Sequence, residues 1–148
     1  MTLPIFIDTN IVIYAVGRPH AFKAPSREIL TLAAQHPAAF FTDAEVLQEL
    51  LHRYLRLQMW QQGREVLRDF AALMRGRIES VSARDMEEAA SLADQYSGGG
   101  GRDLVHAAVM SRIGADEIAS ADRDFDRLPM LRRLDPSEVP TWWGQVEA

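Results

Sequence analysis

Short apolar runs alternate with longer stretches of helical periodicity along most of this chain. The first run, residues 4–8, is rich in isoleucine and ends in Asp8, which is typical of a buried strand. Similar runs occupy residues 39–41, 78–81, 117–121 and 130–134. Because strands that alternate with helices form parallel sheets covered on both faces, the pattern predicts a three-layer α/β/α domain with a mainly parallel sheet of about five strands.

The stretches between these runs carry helix signals. Helices are expected over residues 10–16, 26–34, 60–74, 82–95 and 103–112. A further helix should follow Thr42 or Asp43, either of which can cap it through a side-chain oxygen. Its apolar stripe consists of Val46, Leu47, Leu50, Leu51, Tyr54 and Leu57. Ser82 and Asp85 are spaced as a helix cap and the acid that accompanies it.

Length and composition favour one domain over residues 1–148, with a core over about 3–135 and a tail over about 136–148 whose structure is left open. The absence of cysteine excludes disulfide scaffolds, zinc ribbons and thiol catalysis. The apolar stretches are far shorter than the ~20 residues of a membrane helix. The N-terminus lacks the basic start and cleavage site of a signal peptide. A cytoplasmic protein with no membrane partner is therefore expected.

Four acidic residues occupy positions that a parallel sheet would bring together. Asp8 ends the first strand, Asp122 follows the fourth, and Asp103 opens a helix after the glycine run at residues 98–101. Glu49 lies beside the apolar stripe of the helix that follows the second strand. Ligands of open parallel sheets bind beyond the carboxyl ends of the strands, at the switch point of the winding. Taken singly, Asp103 is an ordinary helix-start acid and Glu49 a solvated helix residue.

Convergence of these acids would require a compensating charge, because like charges raise each other's pKa. A hard divalent cation relieves that cost, and carboxylate oxygens select Mg²⁺ or Mn²⁺. The four histidines show no metal-ligand spacing such as HExxH; they are His20, His36, His52 and His106. A carboxylate cage of this kind usually performs phosphoryl transfer.

Four motifs occur in a particular order. They are Ile7-Asp8-Thr9-Asn10, Leu47-Gln48-Glu49-Leu50, Arg102-Asp103-Leu104-Val105-His106-Ala107-Ala108 and Ser120-Ala121-Asp122-Arg123-Asp124-Phe125-Asp126. Over roughly residues 3–135 they resemble the PIN-domain family, most closely the VapC-type toxin subunits of bacterial toxin–antitoxin pairs. The longer glycine run and Val105 depart from the pattern of this family, and neither departure removes an acid.

This resemblance implies a PIN-like fold and an endoribonuclease that depends on Mg²⁺ or Mn²⁺ and cleaves RNA with a metal-activated water, leaving a 5′-phosphate. The positions that match the family's catalytic and metal-binding acids are Asp8, Glu49, Asp103 and Asp122. Asp124 matches an additional metal-binding acid, and Ser120 and Asn10 match supporting positions. The resemblance also implies a cognate antitoxin and a homodimer as partners.

Other residues allow weaker interpretations. Between Arg53 and Arg77 the chain carries six arginines and two acids, so Arg64 and Arg68 are candidate RNA-binding residues, and a solvated helix surface explains them equally well. His106 is interpreted as a packed or capping histidine. Trp142 and Trp143 fit either core filling or a partner surface.

Two further functions fit parts of this pattern. A non-catalytic α/β module could bind Mg²⁺ for regulation or to hold a partner, although receiver-like modules use a lysine near the last strand and Lys23 is the last lysine here. A phosphatase of the haloacid-dehalogenase type would use Asp-x-Asp after the first strand, where this chain has Asn10 in place of the second acid.

Overall fold

The structure is a computed structural model that describes residues 2–96 and 100–147. In these residues five strands and seven α-helices follow one another in the chain. The strands are β1 (Ile5–Ile7), β2 (Phe40–Asp43), β3 (Ile78–Glu79), β4 (Glu117–Ala119) and β5 (Arg132–Leu134). The helices are α1 (Thr9–Val16), α2 (Lys23–Gln35), α3 (Ala44–Arg56), α4 (Trp60–Leu73), α5 (Ala83–Gln95), α6 (Gly101–Ile113) and α7 (Val139–Glu147).

The strands form one sheet in the order β3-β2-β1-β4-β5, and every pairing is parallel. The connections from β1 to β3 run toward one edge, and the connection from β3 to β4 returns across the sheet. Since such crossovers are right-handed, α1–α4 lie on one face and α5–α6 on the other. The predicted three-layer fold with a parallel sheet of five strands is therefore confirmed.

The winding direction of the sheet reverses between β1 and β4, its two central strands. Ile7 pairs with Ala119, so the residues that follow both strands emerge side by side at the same edge. These residues are Asp8 on one strand and Ser120 on the other. A reversal of this kind opens a crevice in which parallel α/β folds bind ligands.

Local signals explain several element boundaries. Asp43 caps α3 by accepting a hydrogen bond from Val46 N at 3.0 Å, whereas Thr42 donates to the carbonyl of Ile7 on the neighbouring strand. Ser82 and Asp85 form the reciprocal capping box that starts α5. Helix α2 begins at Lys23, three residues earlier than expected, because Pro25 is tolerated in a first turn and does not break the helix there.

The hydrophobic core continues beyond residue 135. Val139, Trp142 and Trp143 of α7 are buried, with Trp143 stacked on Phe40 at 5.6 Å. The indole N–H of Trp142 donates to the carbonyl of Asp135 at 2.9 Å, which satisfies its polar atom inside the core. Core filling is therefore the role of both tryptophans in this chain. No helix in the described part of the chain is long and apolar enough to span a bilayer.

The glycine run at residues 98–101 is described only at its end. Gly98 and Gly99 lie outside the described residues, whereas Gly100 is the residue before α6 and Gly101 is its first residue. The helix thus starts two residues earlier than the sequence suggests, and Asp103 lies within its first turn.

Helices α3 and α4 form a hairpin that depends on a close approach at Gly63. A Cβ atom built on Gly63 would lie 2.3 Å from the Cβ and 2.5 Å from the Cγ of Tyr54, a buried side chain of α3. These distances are far below van der Waals contact, so any larger residue would push the two helices apart.

The Gly63→Ala variant is expected to be destabilised by about 1–3 kcal/mol, the usual range for overpacking. Gly144→Ala is the matched control, because Gly144 also lies within a helix and its added Cβ would meet nothing within 4 Å. This control should gain about 0.5–1 kcal/mol from helix propensity. Urea unfolding of both variants measures the difference, and equal midpoints would contradict the close-approach argument.

Candidate active site

Asp8 lies at the floor of a cleft at the switch point and is 5% exposed. It caps α1, with its Oδ1 atom accepting a hydrogen bond from Thr9 N at 2.8 Å. Its Oδ2 atom accepts from the hydroxyl of Ser120 at 2.7 Å and from the amide of Asn10 at 3.0 Å. Helix α1 therefore orients both carboxylate oxygens, and the turn after β4 adds a second donor to Oδ2.

Ser120 and Asn10 also tie the turn after β4 to Asp8. The Ser120 hydroxyl oxygen accepts hydrogen bonds from Asn10 Nδ2 at 2.9 Å and from the backbone N–H of Asp122 at 3.0 Å. Asn10 Oδ1 in turn accepts from Ala121 N at 3.1 Å. With its own proton donated to Asp8, Ser120 is satisfied in full, and the network sets the position of Asp122 relative to Asp8.

His106 is fully buried and lies between three carboxylates. Its Nδ1 atom is 2.8 Å from Asp43 Oδ2, and its Nε2 atom is 2.9 Å from Glu49 Oε1 and 3.8 Å from Asp8 Oδ1. Phe6 of β1 packs against the ring, with the two centroids 5.0 Å apart. The ring therefore connects the second strand, the third helix and the floor of the cleft.

The contacts of His106 determine its protonation. Burial by itself would lower its pKa, but the hydrogen bonds to Asp43 and Glu49 and the charges of Asp43 and Asp8 raise that pKa well above its usual value. This raised pKa favours a ring with protons on both nitrogens, which then donate to Asp43 and Glu49. His106 is therefore an imidazolium, a positive charge that the chain itself places among the acids.

Glu49 is held at both of its oxygens. Oε1 accepts from the His106 ring and Oε2 from the hydroxyl of Thr9. Burial raises the pKa of Glu49, but the hydrogen bond and charge of His106, together with the hydrogen bond of Thr9, lower it below the usual value. This carboxylate is accordingly ionised and fixed in one orientation.

Three further acids form a second group. Oxygens of Asp103, Asp122 and Asp124 lie within 4.8 Å of one another. Asp122 accepts from the backbone N–H of Asp124 at 2.9 Å, which orders the turn between them. Burial and the charges of Asp8 and Asp122 raise the pKa of Asp103 to about 7.

The described residues thus contain two groups that could ligate a metal ion: Asp8 with Glu49 and His106, and Asp103 with Asp122 and Asp124. The first group includes a protonated ring, which has no lone pair to offer. The second is composed of oxygen donors alone, as Mg²⁺ and Mn²⁺ require, and Asp8 faces it closely enough to raise the pKa of Asp103. The donor set therefore fits a hard divalent cation held by the three aspartates together with Asp8.

A cavity of about 210 Å³ opens above these acids. Four acids line it: Asp8, Glu49, Asp103 and Asp122. The other lining residues are Thr9, Asn10, Ile13, His52, Arg53, Arg56 and Arg102. Arg64 and Arg68 do not line it; both are exposed on α4, where the Arg64 guanidinium lies 5.9 Å from the ring centroid of Trp60. The structure thus brings the four predicted acids into one cavity and leaves these two arginines outside it.

The sequence interpretation overlooked three residues of this site. Thr9 appeared only as part of a motif, Asp43 only as a helix cap, and His106 only as a packed or capping histidine. One signal was present, since His106 lies three residues after Asp103 and hence close to the same helix face. Its partners Asp43 and Glu49 lie 63 and 57 residues away in the chain, and no local pattern reveals them.

Comparisons with known proteins agree with this architecture. A family model described as PIN domain matches residues 5–131. Ribonuclease VapC23 of Mycobacterium tuberculosis is 39% identical over 121 residues, which cover 80% of this chain and 92% of that protein.

Two solved structures share the fold at lower identity. The VapBC2 structure from Rickettsia felis, bound to a DNA fragment from its promoter, has a TM-score of 0.70 at 21% identity and covers 88% of this chain and 97% of that chain. VapC20 of Mycobacterium tuberculosis, described as a sarcin–ricin loop cleaving toxin, has a TM-score of 0.64 at 23% identity and covers 84% of this chain and 94% of that chain.

The resemblance inferred from the four motifs is confirmed by these matches. The family model spans most of the chain, and the ribonuclease from Mycobacterium tuberculosis exceeds 30% identity over four fifths of it. The chain therefore belongs to the PIN-domain family and, within it, to the VapC ribonucleases.

Proposed function

We propose that this protein is a divalent-metal-dependent endoribonuclease and the toxin of a bacterial toxin–antitoxin pair, acting in the cytoplasm. The observation that carries this proposal is the convergence of Asp8, Glu49, Asp103 and Asp122 on one cavity at the switch point of the sheet. Membership of the VapC ribonucleases supports RNA as the substrate. The donor set supports Mg²⁺ or Mn²⁺ as the cofactor.

The acids of the cavity divide into two roles. Asp8, Asp103 and Asp122, with Asp124 beside them, would hold the ion through oxygen atoms. When bound, the ion supplies a Lewis acid that activates water and neutralises charge on the phosphate. The hydrogen bonds from Ser120, Asn10 and Thr9 keep the Asp8 carboxylate in one orientation before the substrate arrives.

Glu49 acts from the α3 side of the cavity. Its carboxylate is fixed by Thr9 and His106, so it faces the reacting phosphate or a water in a defined position. His106 balances the charges of Glu49, Asp43 and Asp8 and thereby keeps Glu49 ionised. Attack of water on phosphorus breaks the bond to the 3′-oxygen, which leaves a 3′-hydroxyl on one product and a 5′-phosphate on the other.

Partners follow from the same proposal. A groove of about 360 Å³ between α1, α2 and α4 is lined by Val12, Val16, Leu30, Val66 and Phe70, among others, with Glu65 and Asp69 among its polar lining residues. Its charge suits a basic amphipathic segment, and we assign this groove to the antitoxin. A solved structure from Klebsiella pneumoniae that shares the fold is described as a toxin–antitoxin complex, which supports such a partner.

The Asp8→Asn variant is expected to lose RNA cleavage by at least about 100-fold, because it removes a charged ligand from the metal site. Asp94→Asn on the exposed surface of α5 makes the same chemical change away from the cavity and should keep full activity. The assay is cleavage of a structured-RNA pool with Mg²⁺, Mn²⁺ or EDTA, followed by analysis of the new ends.

Three outcomes of this assay would count against the proposal. A 2′,3′-cyclic phosphate product would exclude attack by water on phosphorus. Cleavage that persists in EDTA and in Asp8→Asn would exclude the carboxylate site. A folded protein that binds Mg²⁺ without cleaving any RNA in the pool would favour the non-catalytic binding module.

The metal-free stability of the protein should depend on pH through Asp103. Its pKa is about 7 in the folded state and near 3.8 when unfolded, so the unfolded chain releases this proton first as the pH rises. Stability is therefore lost between about pH 4 and pH 7, and Asp103→Asn escapes this loss. In EDTA the variant should gain Tm over the wild type at about pH 8 and only about a third as much at about pH 5, by roughly 2–4 °C for each kcal/mol.

Added Mg²⁺ should reverse that difference at the higher pH, since the ion binds the ionised carboxylate and releases its proton. Thermal melts with EDTA and with Mg²⁺ at the two pH values provide the measurement. An advantage of Asp103→Asn of equal size at both pH values would show that Asp103 ionises normally in the folded protein.

A homodimer is the second proposed assembly, and its interface would be the end of the α3–α4 hairpin. The exposed apolar side chains there are Leu51, Leu55, Leu57 and Met59. A two-fold interface pairs one patch with itself, so a single substitution places two like charges face to face. Leu55→Glu should therefore shift the dimer to monomer by at least about tenfold in Kd, which corresponds to ~1.4 kcal/mol.

Met86→Glu is the control, because Met86 on α5 is 51% exposed, the same fraction as Leu55, and lies on a different helix pair. Light scattering over a range of protein concentrations gives the mass of each variant. A Leu55→Glu protein that stays dimeric, or a Met86→Glu protein that dissociates, would place the interface elsewhere.

A further inference from the structure

One face of α3 carries basic side chains in line with Glu49. His52, Arg53 and Arg56 follow Glu49 at intervals of three, four and seven residues, and all four side chains line the same cavity. These intervals place residues on one side of an α-helix. Helix α3 thus supplies the fixed acid Glu49 to the cavity and, beside it, a basic strip formed by His52, Arg53 and Arg56.

The two arginines of this strip, Arg53 and Arg56, form no side-chain hydrogen bond or ion pair in the part of the chain that the structure describes. Four other arginines hold backbone carbonyls or carboxylates and are part of the scaffold; they are Arg77, Arg112, Arg132 and Arg133. The guanidinium groups beside the cavity therefore remain available for a ligand.

Arg102 of α6 adds a third cation to the lining of the cavity. It lies in the first turn of α6, where a positive charge opposes the helix dipole, and it is exposed. Like the strip residues, it has no hydrogen bond or ion pair within residues 2–96 and 100–147. Its charge reaches across the cavity, since it lowers the pKa of Glu49.

The acids of the cavity repel a phosphate unless nearby cations offset their negative charge. A phosphate that approaches Asp8, Glu49, Asp103 and Asp122 meets several carboxylates, on a protein whose net charge is −5. A bound divalent ion and His106 offset part of that charge, but His106 is buried and cannot contact a ligand. The half-buried Arg53 and the exposed Arg56 and Arg102 place positive charge at the opening, where it attracts a phosphate.

We propose that Arg53, Arg56 and Arg102 bind the phosphates of the RNA nucleotides on either side of the scissile bond, an assignment that rests on the proposed function. Guanidinium groups bind phosphate oxygens in a bidentate manner and carry no base information. The three residues thus position the strand across the cavity, and base selection lies with other surfaces of the protein.

This assignment differs from one based on the density of arginines in the sequence. Arg64 and Arg68 belong to the same hairpin, but they lie on α4 and outside the lining of the cavity. Arg64 is additionally engaged with the ring of Trp60. The pair Arg53/Arg56 and the pair Arg64/Arg68 carry equal charge on adjacent helices, so they form a matched comparison.

The test measures binding of a fluorescein-labelled oligouridylate of about 12 nucleotides, a length within the usual site size for single strands. Fluorescence anisotropy in EDTA, where no cleavage is expected, gives the affinity between about 50 and 200 mM salt for the wild-type protein and both double variants. Each phosphate contact contributes about −0.7 to the slope of log K against log salt on single strands. Arg53→Ala/Arg56→Ala should therefore reduce the slope by about 1.4, and Arg64→Ala/Arg68→Ala should change it far less.

A charge-retaining variant keeps the result interpretable if the alanine pair alters folding. Arg53→Lys/Arg56→Lys preserves both cations and should restore the slope while binding more weakly than the wild type, since lysine cannot bind in a bidentate manner. An oligothymidylate of the same length should give the same loss of slope, because phosphate contacts do not read the 2′-hydroxyl.

An unchanged slope in Arg53→Ala/Arg56→Ala, or an equal loss in Arg64→Ala/Arg68→Ala, would overturn the assignment. The binding assay does not depend on cleavage, so it separates this inference from the proposed function. Salt-dependent binding through the α3 arginines without any cleavage would keep the phosphate site and reject the nuclease. Cleavage of RNA by a protein whose α3 arginines contribute nothing to the salt dependence of binding would keep the nuclease and reject the phosphate site.

Discussion

Repulsion among carboxylates is the constraint on which this molecule is built. Six carboxyl groups meet at one edge of the sheet, and they come from Asp8, Asp43, Glu49, Asp103, Asp122 and Asp124. The chain neutralises one side of the cluster itself, because the buried His106 ring donates to Asp43 and Glu49 and lies near Asp8. On the other side, burial and the charges of Asp8 and Asp122 raise the pKa of Asp103, and the charge of His106 offsets only part of this effect. The division separates a part of the site that the chain balances by itself from the part that, in the proposed function, a metal ion would complete.

The parallel sheet and the helices around it hold this cluster of acids in position. Adjacent central strands deliver Asp8 and Ser120 to the same edge, so a hydrogen bond joins residues 112 positions apart. Helices that start at this edge present their first turns to the cavity, as α1 and α6 do with Thr9 and Asp103. The acids therefore rest on strand ends and helix starts, which the core beneath them holds in place.

Much of the fold and part of the site could be predicted from local sequence. The strand run that ends in Asp8 and the capping pair Ser82–Asp85 are signals that neighbouring residues carry by themselves, and both agree with the structure. The role of His106 could not be predicted, since it arises from partners on β2 and α3 that only the tertiary fold brings near. The start of α2 was misjudged for a different reason, because a proline stops a helix in its interior but fits its first turn.

The dependence on the tertiary fold also explains why the sequence alone did not identify the arginines that line the cavity. Sequence density singled out Arg64 and Arg68, whereas the cavity is lined by Arg53 and Arg56 of the preceding helix. Helical spacing alone shows that Glu49, Arg53 and Arg56 share one face of α3. Only the fold shows that this face lines the cavity. The tail is a similar case: its tryptophans fit a core or a surface until the position of Phe40 decides between them.

The pairing of β1 with β4 has a consequence for a newly made chain on the ribosome. Asp8 and Asp122 are 114 residues apart, and the strand that carries Ser120 beside Asp8 is among the last parts of the sheet to be synthesised. At about 5–20 residues per second, translation needs roughly 6–23 s to pass from the first acid to the last. During that interval the emerging polypeptide holds its acids separately, so a toxin of this design has no assembled centre before Asp122 has been synthesised.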